Sequence, residues 1–216
     1  MKLSGNRGSV NALLLAAVLL FLGSSLISGE RLAGTLLVGI SSSLMLLIAT
    51  LTIQAHRKRL LYFAILVILL REGSRFIFEN AYLDAIASLA SVVFFLLVVF
   101  QLIRQVARSG EVDLAVILES VNGYLLVGLS GGILLAMVAI FQSGAFRLPD
   151  GNPAGLADFV YFGFVTMTTI GYGEITPVTG LARLVAIAVG ISGQLYIAII
   201  IATLVGKYLA QKGDRT

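Results

Sequence analysis

The chain is decided by one stretch, Asp158-Phe-Val-Tyr-Phe-Gly-Phe-Val-Thr-Met-Thr-Thr-Ile-Gly-Tyr-Gly-Glu174. Its apolar part, Leu156 to Thr169, is too short to cross a bilayer, which takes about 20 residues. It is therefore expected to enter the membrane and return. Irregular backbone at membrane depth is tolerated only where protein buries it or where it lines water. Gly171 and Gly173 flank Tyr172, and glycine takes backbone angles that other residues avoid. Successive carbonyls can then point one way while Ile170 and Tyr172 pack outward, and Thr169 adds a hydroxyl at the inner end. A short helix over about 156–168 would aim its C-terminal end at this loop. The negative end of its dipole favours a cation there.

Working outward, the whole chain has the composition such a loop needs. Its 216 residues hold 15 Lys+Arg and 11 Asp+Glu, only 12% charged, against 58% apolar and a mean hydropathy of +1.01. Soluble domains run near a quarter charged, and a water-soluble fold of this size could not hide so much apolar side chain. Disorder is excluded because there is too much to bury. The absence of cysteine excludes disulfides and thiolate metal sites, and the lone His56 argues against histidine-based metal or triad chemistry. No nucleophile–base pair, metal cluster or nucleotide loop can be assembled, so no enzyme and no cofactor is expected. The pI near 9.6 comes from basic residues scattered singly or in the short run Arg57–Arg59. That pattern suits membrane topology better than nucleic acid.

Charge-free runs extend from Val10 to Gly29, Leu32 to His56, Leu60 to Leu70, Ala85 to Ile103, Ser120 to Phe146 and Leu184 to Gly206. The third spans only if it continues through Arg71, Glu72 and Arg75, helped by Glu72–Arg75 and Arg75–Glu79 at helical spacing. The fold class expected is an all-α integral membrane protein with six transmembrane helices plus one re-entrant helix and loop. The first run resembles a signal peptide, with Lys2 and Arg7 ahead of it, but it is long and lacks a small-residue cleavage site, so it is read as an anchor. Orientation follows the Lys/Arg bias. With both termini in the cytoplasm, Lys2, Arg7, Arg57, Lys58, Arg59, Arg104, Arg108, Lys207, Lys212 and Arg215 lie inside. Arg31, Arg71, Arg75, Arg147 and Arg183 lie outside, and the re-entrant segment faces outward. A polar linker, Arg104 to Asp113, divides a four-helix region (1–110) from a C-terminal region (111–216). Val112 to Leu118 reads as an interfacial helix leading into the fifth span. A second polar stretch, Ser143 to Asp158, is an exposed loop carrying Pro149 and Pro153.

Thr168-Thr169-Ile170-Gly171-Tyr172-Gly173 resembles the filter signature of the potassium-channel superfamily, with Ile for the commoner Val. The likeness runs from about Ser120 to Gly206, as outer helix, turret, pore helix, filter and inner helix. In such filters, rings of backbone carbonyls replace the hydration shell of potassium. The resemblance implies K+ held at Thr169, Ile170, Gly171 and Tyr172, with Gly173 closing the filter. It implies supporting roles for Tyr161, Phe162 (an aromatic cuff), Val165, Thr168 and Glu174. Gly193, with Gly190, falls where a gating hinge is expected, and Pro177 and Arg183 also resemble the prokaryotic pore module. Two positions depart from the pattern: Glu174 stands where Asp is usual, and Val165 where many members carry Glu. A carbonyl ring needs four loops and the chain carries one, so a homotetrameric pore in the lipid bilayer of the cell membrane is expected. Permeant K+ is the bound ion, and no cytoplasmic regulatory domain is expected in the chain. Gly123-Tyr124 repeats the dipeptide without the threonines and reads as packing.

Six spans with the pore last resemble the voltage-gated architecture, which needs a fourth span bearing several arginines. Ala85 to Ile103 carries no charge, and Arg104 and Arg108 lie past its inner end. Moving one charge through 100 mV is worth about 2.3 kcal/mol, so steep gating needs several per subunit. Weak or no voltage dependence is expected. Arg71, Glu72, Arg75, Glu79 and Asp84 read as an ion-pair network between the third and fourth spans, and as a ligand, proton or divalent-ion sensor only secondarily. Ser41–Ser43 and Ser130–Gly132 read as close helix contacts, and His56 as a loop residue. The rivals are a less selective monovalent cation channel, the membrane subunit of a potassium-uptake system, and a non-conducting scaffold.

Overall fold

A computed structural model of the chain describes residues 2–27, 32–53, 57–74, 81–149 and 155–213. In chain order it comprises α1 (Lys2–Ile27), α2 (Leu32–Thr52), α3 (Arg57–Gly73), α4 (Ala81–Arg108), α5 (Leu114–Phe141), β1 (Phe146–Arg147), α6 (Leu156–Met167), β2 (Thr176–Pro177) and α7 (Gly180–Gly213). Backbone amides and carbonyls cannot be left unpaired in hydrocarbon, and a helix satisfies them within one segment. Five helices, α1, α2, α4, α5 and α7, are long and apolar enough to cross a bilayer. This is a multi-pass membrane protein. α3 has 17 residues, about 26 Å of helix at 1.5 Å per residue. It opens on Arg57-Lys58-Arg59 and closes on Arg71-Glu72. Arg75, Glu79 and His56 lie outside the described residues.

Successive helices pack in order, α1 on α2, α2 on α3 and α3 on α4, and both α1 and α4 lean on α5. Their common core holds Leu14, Met45, Leu46, Phe94, Phe95 and Leu102, all at most 1% exposed. Phe94 meets Phe95 and Phe63 at ring-centroid distances of 5.8 and 6.0 Å, within the range where edge-on rings attract. Serine hydroxyls tie the crossings, with Ser24 and Ser41 Oγ atoms 2.9 Å apart. The acidic members of the charge cluster that are described are also tied down. Ser43 donates to Glu72 Oε1 at 3.4 Å and Ser74 to Asp84 Oδ1 at 3.3 Å. These bonds join α2 to α3 and the end of α3 to α4.

α5 departs from the sequence-based boundaries. Residues 114–118 do not form a separate interfacial helix but are the first turns of a continuous 28-residue α5. Asp113 sets this start: it is extended, at φ −114° and ψ 177°, and its side chain accepts the Val116 amide at 2.9 Å, a standard N-cap. The span therefore swallows Glu119, which is fully buried. Arg7 of α1 reaches it, Nη2 to Oε1 at 2.8 Å. Asn11 Nδ2 donates to the same oxygen at 3.3 Å, and Asn122 Nδ2 donates to the Asn11 carbonyl at 2.8 Å. An α1–α5 polar joint thus sits inside an otherwise apolar bundle.

Candidate functional site: a re-entrant helix and its loop

α6 begins where the Gly155 amide donates to the Asp158 carboxylate at 2.8 Å, and it runs only to Met167. It is held by α5 and α7. The α5 contact is backbone against backbone: a Cβ at Gly132 would lie 2.6 Å from Val160 Cα, and one at Gly163 would lie 3.1 Å from the Gly132 nitrogen. Only glycine permits that crossing. Phe162, 8% exposed, turns into this packing against Phe146 at 5.9 Å, and Phe146 also meets Phe159 at 5.0 Å. Tyr161 instead stays 38% exposed, and the neighbouring Glu174 carboxylate pushes its phenol up to about 12. The two residues of the expected cuff therefore face different ways.

The loop alternates in handedness. Thr169, Gly171 and Gly173 have φ of +63°, +60° and +89°, with Ile170 and Tyr172 between them on the ordinary side. Alternation of this kind turns successive carbonyls to one side of the strand. The two glycines were foreseeable; Thr169 was not. A β-branched residue in the left-handed region costs about 1–3 kcal/mol. The bonds that hold it follow from the end of α6. Phe164 O accepts the Thr168 amide (2.9 Å) and hydroxyl (2.7 Å), Val165 O the Ile170 and Gly171 amides (3.0 and 3.4 Å), and Thr166 O the Thr169 amide (3.1 Å). Val165 thus contributes through its carbonyl, while its side chain is buried. The outward surface of the loop is bare in a single chain, with Ile170 53% and Tyr172 70% exposed.

Past the loop, Thr176–Pro177 pairs antiparallel with Phe146–Arg147, and the Val178 amide reaches Ala145 O at 2.8 Å. This short ladder, invisible to periodicity, ties the loop's exit to the segment after α5. α7 then runs unbroken for 34 residues through Gly190 and Gly193. Gly193 is a packed position: a Cβ there would lie 2.9 Å from Met167 O and collide with the Met167 side chain. Next to it, Gln194 Nε2 donates to Met167 O at 3.0 Å. Tyr196 donates to Ser120 O at 2.8 Å, and its ring end occupies the space a side chain at Gly123 would need. Gly123-Tyr124 is therefore packing, as its sequence suggested. Among the described residues no group of acidic, histidine or cysteine side chains could hold a metal.

A short apolar helix leading into a backbone of alternating handedness, beside helices long enough to cross a bilayer, is an arrangement that suits an ion-conducting pore. Residues 125–210 match a protein family described as ion channel. Three relatives are similar to part of the chain. A protein of Rhodopseudomonas palustris, provisionally named a potassium channel, is 32% identical over 96 residues, which is 42% of this chain and 23% of that protein. Two pore potassium channel c of Oryza sativa is 37% identical over 78 residues, 35% of this chain and 17% of that one. Two-pore potassium channel 1 of Arabidopsis thaliana is 37% identical over 61 residues, 28% and 16% respectively. The chain thus spans about a quarter or less of each of these proteins. No solved structure matches it.

Proposed function

We propose that four copies of this chain surround one axis as a potassium-selective channel. The observation that supports this best is the alternating backbone at Thr169, Gly171 and Gly173 directly beyond the C-terminal end of α6. Four such loops would stack rings of carbonyls from Thr169, Ile170, Gly171 and Tyr172, each replacing water around a K+ ion, with Gly173 at the exit. The negative end of α6 would favour the cation below them. Phe162, Val165 and Thr168 would hold the loop from behind, and Tyr161 with Glu174 its outer end. The exposed Ile170 and Tyr172 faces are surfaces that neighbouring subunits would cover.

In this reading α3 is a third span, making six, both termini are cytoplasmic, and the loop faces outward. Residues 1–110 form a four-helix domain without gating charges, and 111–216 the pore. The names of the three relatives favour potassium over other cations. The test is K+ uptake into liposomes holding purified protein. Uptake that disappears in Gly171→Ala, with Na+ uptake near background, supports the reading. Equal Na+ and K+ uptake would favour a less selective cation channel, and no flux a scaffold or a transporter subunit.

A further inference from the structure

The last four carbonyls of any α-helix lack partners within the helix, and buried ones must find them elsewhere. At the end of α6 this accounting is complete. Phe164 O, Val165 O and Thr166 O are taken by amides of residues 168–171, the loop's own backbone. The fourth carbonyl, Met167 O, accepts no loop amide and is taken by a side chain from another element, Gln194 Nε2 of α7, at 3.0 Å.

α7 comes this close because of the residues beside Gln194. At Gly193 a Cβ would lie 2.9 Å from the same carbonyl, and at Gly190, one turn earlier, 3.9 Å from Thr166 O. Gly193 clears the approach, Gly190 stands at ordinary van der Waals distance from Thr166, and Gln194 closes the gap to the end of α6. A leucine or isoleucine at 194 would suit an apolar helix as well, but would leave the carbonyl unpaired.

We infer that Gln194 is a positioning residue for ion selection: it fixes the inner entrance of the loop, Thr168–Thr169, from α7. Displacement of α7 at Gly193 is then transmitted directly to the carbonyls that bind the ion. Gln194 completes the cap of α6 and needs no contact with the ion itself. This rests on the channel reading above.

The test uses the full-length protein in planar bilayers under mixed K+ and Na+. Gln194→Met keeps length and removes the donor; Gln194→Glu lacks a donor when ionised and regains an O–H donor when protonated. In Gln194→Met, still tetrameric by native mass measurement, the K+/Na+ permeability ratio should fall about tenfold, the scale of one lost neutral hydrogen bond. Gln194→Glu should behave like Gln194→Met at about pH 8 and return toward the parent ratio near pH 4.5, across the carboxyl's titration range. A tetrameric Gln194→Met with the parent's ratio overturns the inference. If Gln194→Met fails to assemble, Gln194→Glu decides, and a ratio flat across that pH range overturns it. A parent protein that passes no K+ overturns the channel reading itself, which is a different result from a K+-selective parent beside an unchanged Gln194→Met.

Discussion

Arg7 and Glu119 are unequal partners. The carboxylate is fully buried while the arginine side chain is 32% exposed, so the arginine can reach solvent when the carboxylate is gone and the carboxylate has no such escape. Removing one partner of a buried pair costs about 3–5 kcal/mol when the other charge is stranded. Arg7→Ala should therefore approach that cost, and Glu119→Gln should cost clearly less. Melting of the purified protein in detergent checks the order; equal losses would contradict it. This joint was illegible in the sequence for a physical reason. Scanning for charge-free runs stops a span at Glu119, and Arg7 alone looks like a topological anchor. Only the packing of α1 on α5 brings Asn11 and Asn122 to the same place. Thr169 is a similar case, since its left-handed backbone follows from bonds to the end of α6 and not from its residue type.

Among the elements, the long helices were the legible part, because a bilayer demands some 20 apolar residues and composition records that demand. The role of small residues at crossings was legible in kind, and the partner was not. Gly132 meets the backbone of α6, whereas Gly23 of α1 has nothing within 4 Å of where a Cβ would stand. Gly132→Ala should abolish assembly or flux, because backbone cannot rotate away. Gly23→Ala should be neutral or stabilise by up to about 1 kcal/mol through helix propensity. Native gels and melting curves compare the two, and a fully assembled, conducting Gly132→Ala would refute the crossing. The far end of α7 makes a second joint. Lys207 Nζ donates to Ala107 O at 3.0 Å and to Ser109 O, and Gln211 Oε1 accepts the Val112 amide at 3.3 Å. A cation on the last carbonyls of α4 also complements its helix dipole. Lys207→Met should speed amide hydrogen exchange across 109–113 and change open probability. Unchanged exchange there would show the contact to be idle.

At the scale of the whole molecule, the N-terminal helices lean on α5 of the same chain through α1 and α4 but carry no series of arginines. α4 is uncharged from Ala85 to Ile103, and Arg104 and Arg108 sit exposed in its last turns. At about 2.3 kcal/mol per charge per 100 mV, the proposed channel should not gate steeply. The conductance–voltage relation should correspond to no more than about two charges per channel on the same scale, and a steeper one would reveal gating charge elsewhere in the chain. The proposed selection of potassium by four loops of alternating backbone is tested by the zero-current potential of the purified, reconstituted protein as external K+ is replaced stepwise by Na+. The potential should follow K+ alone, about 59 mV per tenfold change for a single charge, and collapse in Gly171→Ala. A potential that stays near zero while Na+ replaces K+ would contradict it.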